Sequence, residues 1–322
     1  MQDDRKVLST AEKVVLIALI IVAILLDFDD TLGKTERKAF TACTGLINEI
    51  LRCFRIKKQF TVDELLARFR GRSFQDMILE LGKEHGFLVV TKVLGGENLD
   101  VTESVLAQFT GRPYSEMVDA LRQDHLFTVK SVRLEDGREM DLAGLVKEEM
   151  ERVISLFERE LEPTDGVNEV LALLAPWFDL SIVSSSAWKR LMASLTGTNQ
   201  LGFFNPVEEH VYSGTTHLVI PRLGKGKPAP DIYNLAMKRR GVRPDQCVGV
   251  EDSNGGMDSL FAANVLVKIG YVGIYPIEEQ ASHAAELRQH GADAILFSWK
   301  YDEFIDAVYS VLVAKGKLPV AA

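Results

Sequence analysis

The sequence predicts an α/β protein: a parallel sheet with helices on both faces, opened after its first strand by a helical insertion. Three observations predict it. Short apolar runs recur at 22–26, 180–183, 247–250, 266–269 and 294–296, each followed by a polar or glycine-rich stretch. Helical patterns at 231–240, 256–263 and 277–290 separate the later runs, and strands alternating with helices build parallel sheets. Between them, from about Thr35 to Leu161, the periodicity is helical almost throughout.

The first strand lies inside an apolar run, VVLIALIIVAILL, spanning Val14 to Leu26. Its 13 residues are short of the roughly 20 that a membrane helix needs. No small-x-small cleavage pattern follows, and four residues with three carboxylates, Asp27 to Asp30, come directly after it. The last six residues read as a strand buried on both faces. The first half reads as a longer strand or an anchoring segment, and membrane attachment is the minor alternative.

In the insertion, Thr61-x-x-Glu64 and Ser73-x-x-Asp76 are helix-starting box patterns. Residues 66–87 align without gaps to 106–127, with nine of 22 positions identical at an offset of 40. Phe69/Phe109, Gly71/Gly111, Arg72/Arg112 and Met77/Met117 are among the shared pairs. Two copies are too few for a solenoid, so this is a local duplication. The expected organisation is a core of 1–33 and 163–322 around an insertion of 34–162. The closing stretch 301–312 reads as an amphipathic helix.

Composition narrows the function classes. A formal net charge of −9 leaves no cationic surplus to displace counterions from nucleic acid. A phosphate site in this chain must carry its own positive charge. The three cysteines, Cys43, Cys53 and Cys247, form no CxxC pair, which points to reduced thiols in a cytoplasmic or other reducing compartment. The six histidines show no HxxxH or HExxH spacing, which argues against zinc.

Four motifs carry chemistry, and all fall at predicted strand ends, where ligands bind in open α/β sheets. ILLDFDDTL (24–32) places Asp27 first beyond the strand as a candidate nucleophile, with Asp29 two residues on as a candidate acid and base. LSIVSSSAW (180–188) ends in hydroxyls, with Ser184 and then Ser185 placed to bind phosphate oxygens. GKGKPAPDIY (224–233) sets Lys227 before two prolines that stiffen its loop. CVGVEDSNGGMDSL (247–260) ends a strand in Glu251 and Asp252, hard oxygen ligands of the type that suits Mg²⁺, and a glycine pair follows where backbone must approach closely.

In this order the motifs resemble those of the haloacid-dehalogenase superfamily, over 22–36 and about 163–297. The resemblance implies a Rossmann-like core with an enlarged helical cap, as in the subfamily whose cap lies between the first two motifs. It further implies that Asp27 forms an aspartyl-phosphate and that Asp29 is general acid, then base. Thr31, Ser184, Ser185 and Lys227 would serve the phosphate. Mg²⁺ would be held by Asp27, the Asp29 carbonyl, Glu251 and Asp252. Asp30 stands where capped phosphatases often have Gly, and Lys34 where many carry an acid. A further insertion, 216–224, precedes Lys227.

Asp29 favours phosphoester cleavage over dehalogenation, because a halide leaves without a proton. The expected activity is Mg²⁺-dependent hydrolysis of small phosphate monoesters of the sugar-phosphate or phosphoglycolate type. The alternative is a β-phosphoglucomutase-like mutase. Mutase relatives typically carry a histidine about a dozen residues past the nucleophile, where this chain has Ala39. Arg72 or Arg112 could contact the substrate's distal end; the plainer alternative is surface arginines paired with nearby acids. Trp177 and Trp188 read as packing residues. The expected partner is a small phosphorylated metabolite, with no nucleic acid or membrane, acting on a monomer or homodimer.

Overall fold

A computed structural model of the protein describes residues 8–85, 90–94, 97–100, 128–129, 132–219 and 224–319. The chain divides into two compact units, one of 1–36 and 157–322, the other of 37–156. The first unit is built on a six-stranded, wholly parallel sheet. Its strands are β1 (Ala23–Leu26), β2 (Asp179–Ser184), β3 (Val211–Ser213), β4 (Cys247–Glu251), β5 (Val267–Tyr271) and β6 (Ala294–Leu296). Their spatial order is β3-β2-β1-β4-β5-β6. The order therefore reverses between β1 and β4, the switch point at which doubly wound folds open a ligand crevice. β1, β4 and β5 are buried along their whole lengths, as unbroken apolar runs in a two-face-covered sheet should be.

Register places the motifs side by side. Leu26 of β1 pairs with Val250 of β4 and with Ile182 of β2. The next residue on each strand is thus Asp27, Glu251 and Val183, and the Asp27 N–H donates to the Val250 carbonyl at 3.0 Å.

The first half of the apolar run corrects the sequence reading. It is the helix α1 (Thr10–Ala18), not a longer strand. A run that is apolar throughout has no period to separate helix from strand. The signal lay upstream: Ser9 and Glu12 form a capping box. α1 buries Val14 and Ile17, and Lys13 pairs with Asp306 at 2.7 Å on the closing helix, Tyr301–Ala314. Among the described residues, no helix is long and apolar enough to cross a membrane. The three cysteines are free.

The second unit is not helical throughout. α2 (Thr35–Cys53), α3 (Val62–Phe69), α4 (Phe74–His85) and α5 (Leu142–Glu160) carry its core, in which Leu46, Ile50, Phe69, Met77, Ile78 and Leu145 are buried. Thr61 caps α3 with its reciprocal Glu64 bond, and Ser73 accepts from the Asp76 N–H. The unit also holds a three-stranded antiparallel sheet of Val90–Leu94, Glu97–Asp100 and Thr128–Val129, and a hairpin of Val132–Arg133 with Glu139–Met140. Two local signals favoured those strands. VVTKV is β-branched, and Asp136-Gly137, with Gly137 at φ 87°, is hairpin-turn chemistry. The second copy of the duplication, with Arg112, lies outside the described residues.

Candidate active site

The site forms where β1, β2 and β4 end, and its centre is one buried ammonium group among carboxylates. Lys227 Nζ donates to Asp27 Oδ1 at 2.6 Å and to the Val183 carbonyl at 2.8 Å, and lies 2.5 Å from Glu251 Oε1. The Lys227 side chain is 7% exposed, Asp27 9% and Glu251 0%, so these contacts are made away from bulk water, where charge pairing is strong. The Tyr233 hydroxyl, from the helix Asp231–Arg240, donates to Glu251 Oε1 as well.

Asp27, Glu251 and Asp252 each offer a carboxylate oxygen, all within 4.8 Å of one another. Three acids face one lysine there, an excess of negative charge. Burial drives the Asp27 carboxyl well above its usual range, Lys227 partly offsets this, and Glu251 and Asp29 add to it. Asp252 is raised by burial and then by Asp27, Asp30 and Glu251. Lys227, although buried, is held above its ordinary value by Asp27 and Glu251. A hard divalent cation fits this donor set, because it would neutralise the surplus that one ammonium leaves.

The turn after β1 explains two departures from the family pattern. Asp30 has φ 54°, in the left-handed region where Gly is easiest and Asp is among the tolerated residues. Its Oδ1 accepts from the Thr35 and Glu36 N–H groups at 2.8 and 3.0 Å, capping α2 in a way that glycine could not. Burial pushes its carboxyl up to about 6. Lys34 pairs with Asp165 at 2.7 Å and with Glu162 at 3.6 Å. The Thr31 hydroxyl is fully buried and donates to Asp252 at 3.4 Å, so it orients a carboxylate.

Asp29 stands apart from the three acids. Its Oδ2 accepts from Ser186 Oγ at 2.6 Å and Ser184 Oγ at 3.3 Å, and its Oδ1 accepts from Arg190 Nη2 at 3.1 Å. Burial would raise this carboxyl, but Arg190 and the Ser186 hydroxyl together bring it below its usual range. Ser185 is exposed, with its carbonyl accepting from Thr215 Oγ1. The hydroxyl that reaches Asp29 alongside Ser184 is that of Ser186, in the bend just beyond the end of β2.

Ser186, Arg190 and Tyr233 are the site residues that sequence reasoning missed. Ser186 shared the SSS run, and Tyr233 and Arg190 carried only helical spacing as a hint. Of the glycine pair, Gly256 is the one under constraint: a Cβ there would lie 1.9 Å from Glu251 Oε2, whereas Gly255 has nothing within 4 Å. Gly256→Ala is expected to destabilise the protein by about 1–3 kcal/mol, and Gly255→Ala to stay within about 0.5 kcal/mol of the parent. Denaturant midpoints of the two variants check this contrast.

In the second unit, Arg72 pairs with Glu80 at 2.7 Å, and its guanidinium lies 5.0 Å from the Phe69 ring centroid. Phe69 and Met77 are core. Trp188 packs edge-on to His217, and Trp177 is half exposed. Residues 215–219 form a π-type turn, and 220–223 of the insertion before Lys227 lie outside the described residues.

A family model described as haloacid dehalogenase-like hydrolase matches residues 21–264. A β-phosphoglucomutase of Mycobacterium bovis is 33% identical over 135 residues, 41% of this chain and 46% of that protein. A CBBY-like protein of Arabidopsis thaliana is 33% identical over 147 residues, 44% of each chain. The chain thus spans less than half the length of these curated relatives. Among solved structures, a HAD family hydrolase from Deinococcus radiodurans, with bound phosphate and sodium, aligns with a TM-score of 0.56 at 19% identity over 94% of this chain and 99% of that one. A conserved haloacid dehalogenase-like protein from Agrobacterium tumefaciens aligns at 0.54 with 22% identity, over 92% and 99%. At such identities these two structures report a shared fold.

Proposed function

Because the chain belongs to the haloacid dehalogenase-like hydrolase family, we propose that it is a Mg²⁺-dependent phosphatase that hydrolyses small phosphate monoesters through an aspartyl-phosphate on Asp27. The observation that carries this reading is the convergence of Asp27, Lys227, Glu251 and Asp252 at one sheet edge, with Asp29 beside Ser184.

Asp27 attacks phosphorus, and the ester oxygen departs with the electron pair. Asp29 protonates that oxygen and later takes a proton from the attacking water. Lys227 offsets charge on the transferring group, and Ser184 holds one of its oxygens. Asp27, the Asp29 main-chain carbonyl, Glu251 and Asp252 would hold Mg²⁺, Glu251 directly or through a water, with Thr31 orienting Asp252. When bound, the ion supplies positive charge that lets a carboxylate meet a phosphate. Arg72 or Arg112 is the proposed contact for the substrate's distal end, the plainer alternative being pairing with a nearby acid, as Arg72 makes with Glu80.

Chelation with EDTA is expected to lower hydrolysis of para-nitrophenyl phosphate at least about 100-fold, with recovery on adding Mg²⁺. Undiminished turnover after chelation would sink the metal assignment.

A second reading is a sugar-phosphate mutase, favoured by the name of the M. bovis relative. Ala39, buried on α2, stands against it because it offers no imidazole. Interconversion of a hexose 1-phosphate and 6-phosphate, primed with a bisphosphate, would identify a mutase; net phosphate release identifies a phosphatase.

A further inference from the structure

We propose that Arg190 is a positioning residue for the proton transfers of Asp29; this rests on the phosphatase reading above. Arg190 lies in the first turn of the helix Trp188–Gly197, which follows β2. With Ser184 and Ser186 it holds both Asp29 oxygens from two sides, which fixes the carboxylate in one orientation. The guanidinium is itself fixed, lying 5.2 Å from the ring centroid of Phe157, a fully buried residue. Among the described residues, its Nε is buried with no hydrogen-bond partner. An unpaired buried donor is unfavourable, so packing alone would favour a shorter apolar side chain here. What the guanidinium supplies in return is its contact with Asp29.

The choice of ester separates the two chemical steps. With para-nitrophenyl phosphate, an Asp27 oxygen bonds to phosphorus, the ester P–O bond breaks, and the phenolate leaves with the electron pair, needing no proton. Water oxygen then bonds to phosphorus, its proton passes to the Asp29 carboxylate, and the bond to Asp27 breaks with the pair returning to that carboxylate. An aryl ester therefore calls on Asp29 only in the second step. An alkyl ester, whose alkoxide must be protonated, calls on it in both.

The test uses the full chain with Mg²⁺, as wild type, Arg190→Gln and Arg190→Lys. For Arg190→Gln with the aryl ester, kcat is expected to fall about tenfold while kcat/KM falls less than about threefold. A burst of nitrophenolate in the first turnover, and phosphorylated enzyme in acid-quenched samples, accompany that split. With an alkyl phosphate, kcat/KM falls as far as kcat, and Arg190→Lys restores part of each loss. If Arg190→Gln does not fold, Arg190→Lys, which keeps the charge and shifts its position, carries the same burst measurement. Equal losses in kcat and kcat/KM on the aryl ester with no burst, or no loss at all, overturn the proposal while leaving an active wild type as a phosphatase. A wild type that hydrolyses neither ester overturns the phosphatase reading and this inference with it.

Discussion

Asp27→Asn is expected to lower turnover at least about 10⁴-fold, because a neutral amide oxygen cannot take the place of the attacking carboxylate. The substitution leaves the shape of the site intact. Asp27 is held by its backbone bond to the Val250 carbonyl, and an asparagine Oδ1 can still accept from Lys227. Stability should move the other way. Burial raises the Asp27 carboxyl in the folded chain, so the native state binds more protons than the unfolded state from the ordinary carboxylate range up to the raised value. The stability contributed by this group is complete below that window and is lost as pH rises through it. In the metal-free protein at neutral pH, Asp27→Asn is therefore expected to unfold at the same denaturant concentration as wild type or a higher one. Kinetics with an aryl phosphate and denaturant midpoints check the pair of outcomes. Full turnover would remove Asp27 from the mechanism, and a strongly destabilised variant would contradict the burial argument.

Lys227→Met is expected to fail in both respects. The ammonium group is the sole cation in contact with Asp27 and Glu251 among the described residues. Removing one partner of a buried pair leaves uncompensated charge, a loss of about 3–5 kcal/mol. For the phosphoryl group, losing this charge lowers kcat/KM by at least about 10³-fold. Because the folded value of Lys227 is raised, its stabilising effect is fully present across the neutral range and is lost only as pH rises through that high value. The remaining acids offer more negative charge to a divalent ion, so Mg²⁺ at about 100 times its dissociation constant should return about 2.7 kcal/mol. Unfolding curves with and without Mg²⁺ measure this. A variant as stable as wild type in EDTA would show that Lys227 does not balance the acids.

The core was readable because the sheet is buried on both faces. Continuous apolar runs mark five of the six strands, and three of those runs end directly in a carboxylate or hydroxyl, at Asp27, Ser184 and Glu251. The sixth, Val211–Ser213, is three residues at the sheet edge with no run to detect. α1 was hidden inside an apolar run with no period, and the strands of the inserted unit lay in a segment whose flanks were helical. Asp30 was visible as a departure, but its reason, a left-handed turn that also caps a helix, depends on backbone geometry.

By itself, the sequence determined which residue types stand at each strand end, and therefore that acids, hydroxyls and one lysine would share a sheet edge. Tertiary structure decided which of them meet. Parallel register brings Asp27 level with Glu251 and Val183, 224 and 156 residues away, and that sets Lys227 between two carboxylates. It also decided that Ser186 and Arg190, not Ser185, hold Asp29. The physical reason is one of range. Burial and hydroxyl spacing follow from neighbours along the chain. Charge pairing depends on distances of a few ångströms across strands and helices that no local pattern records.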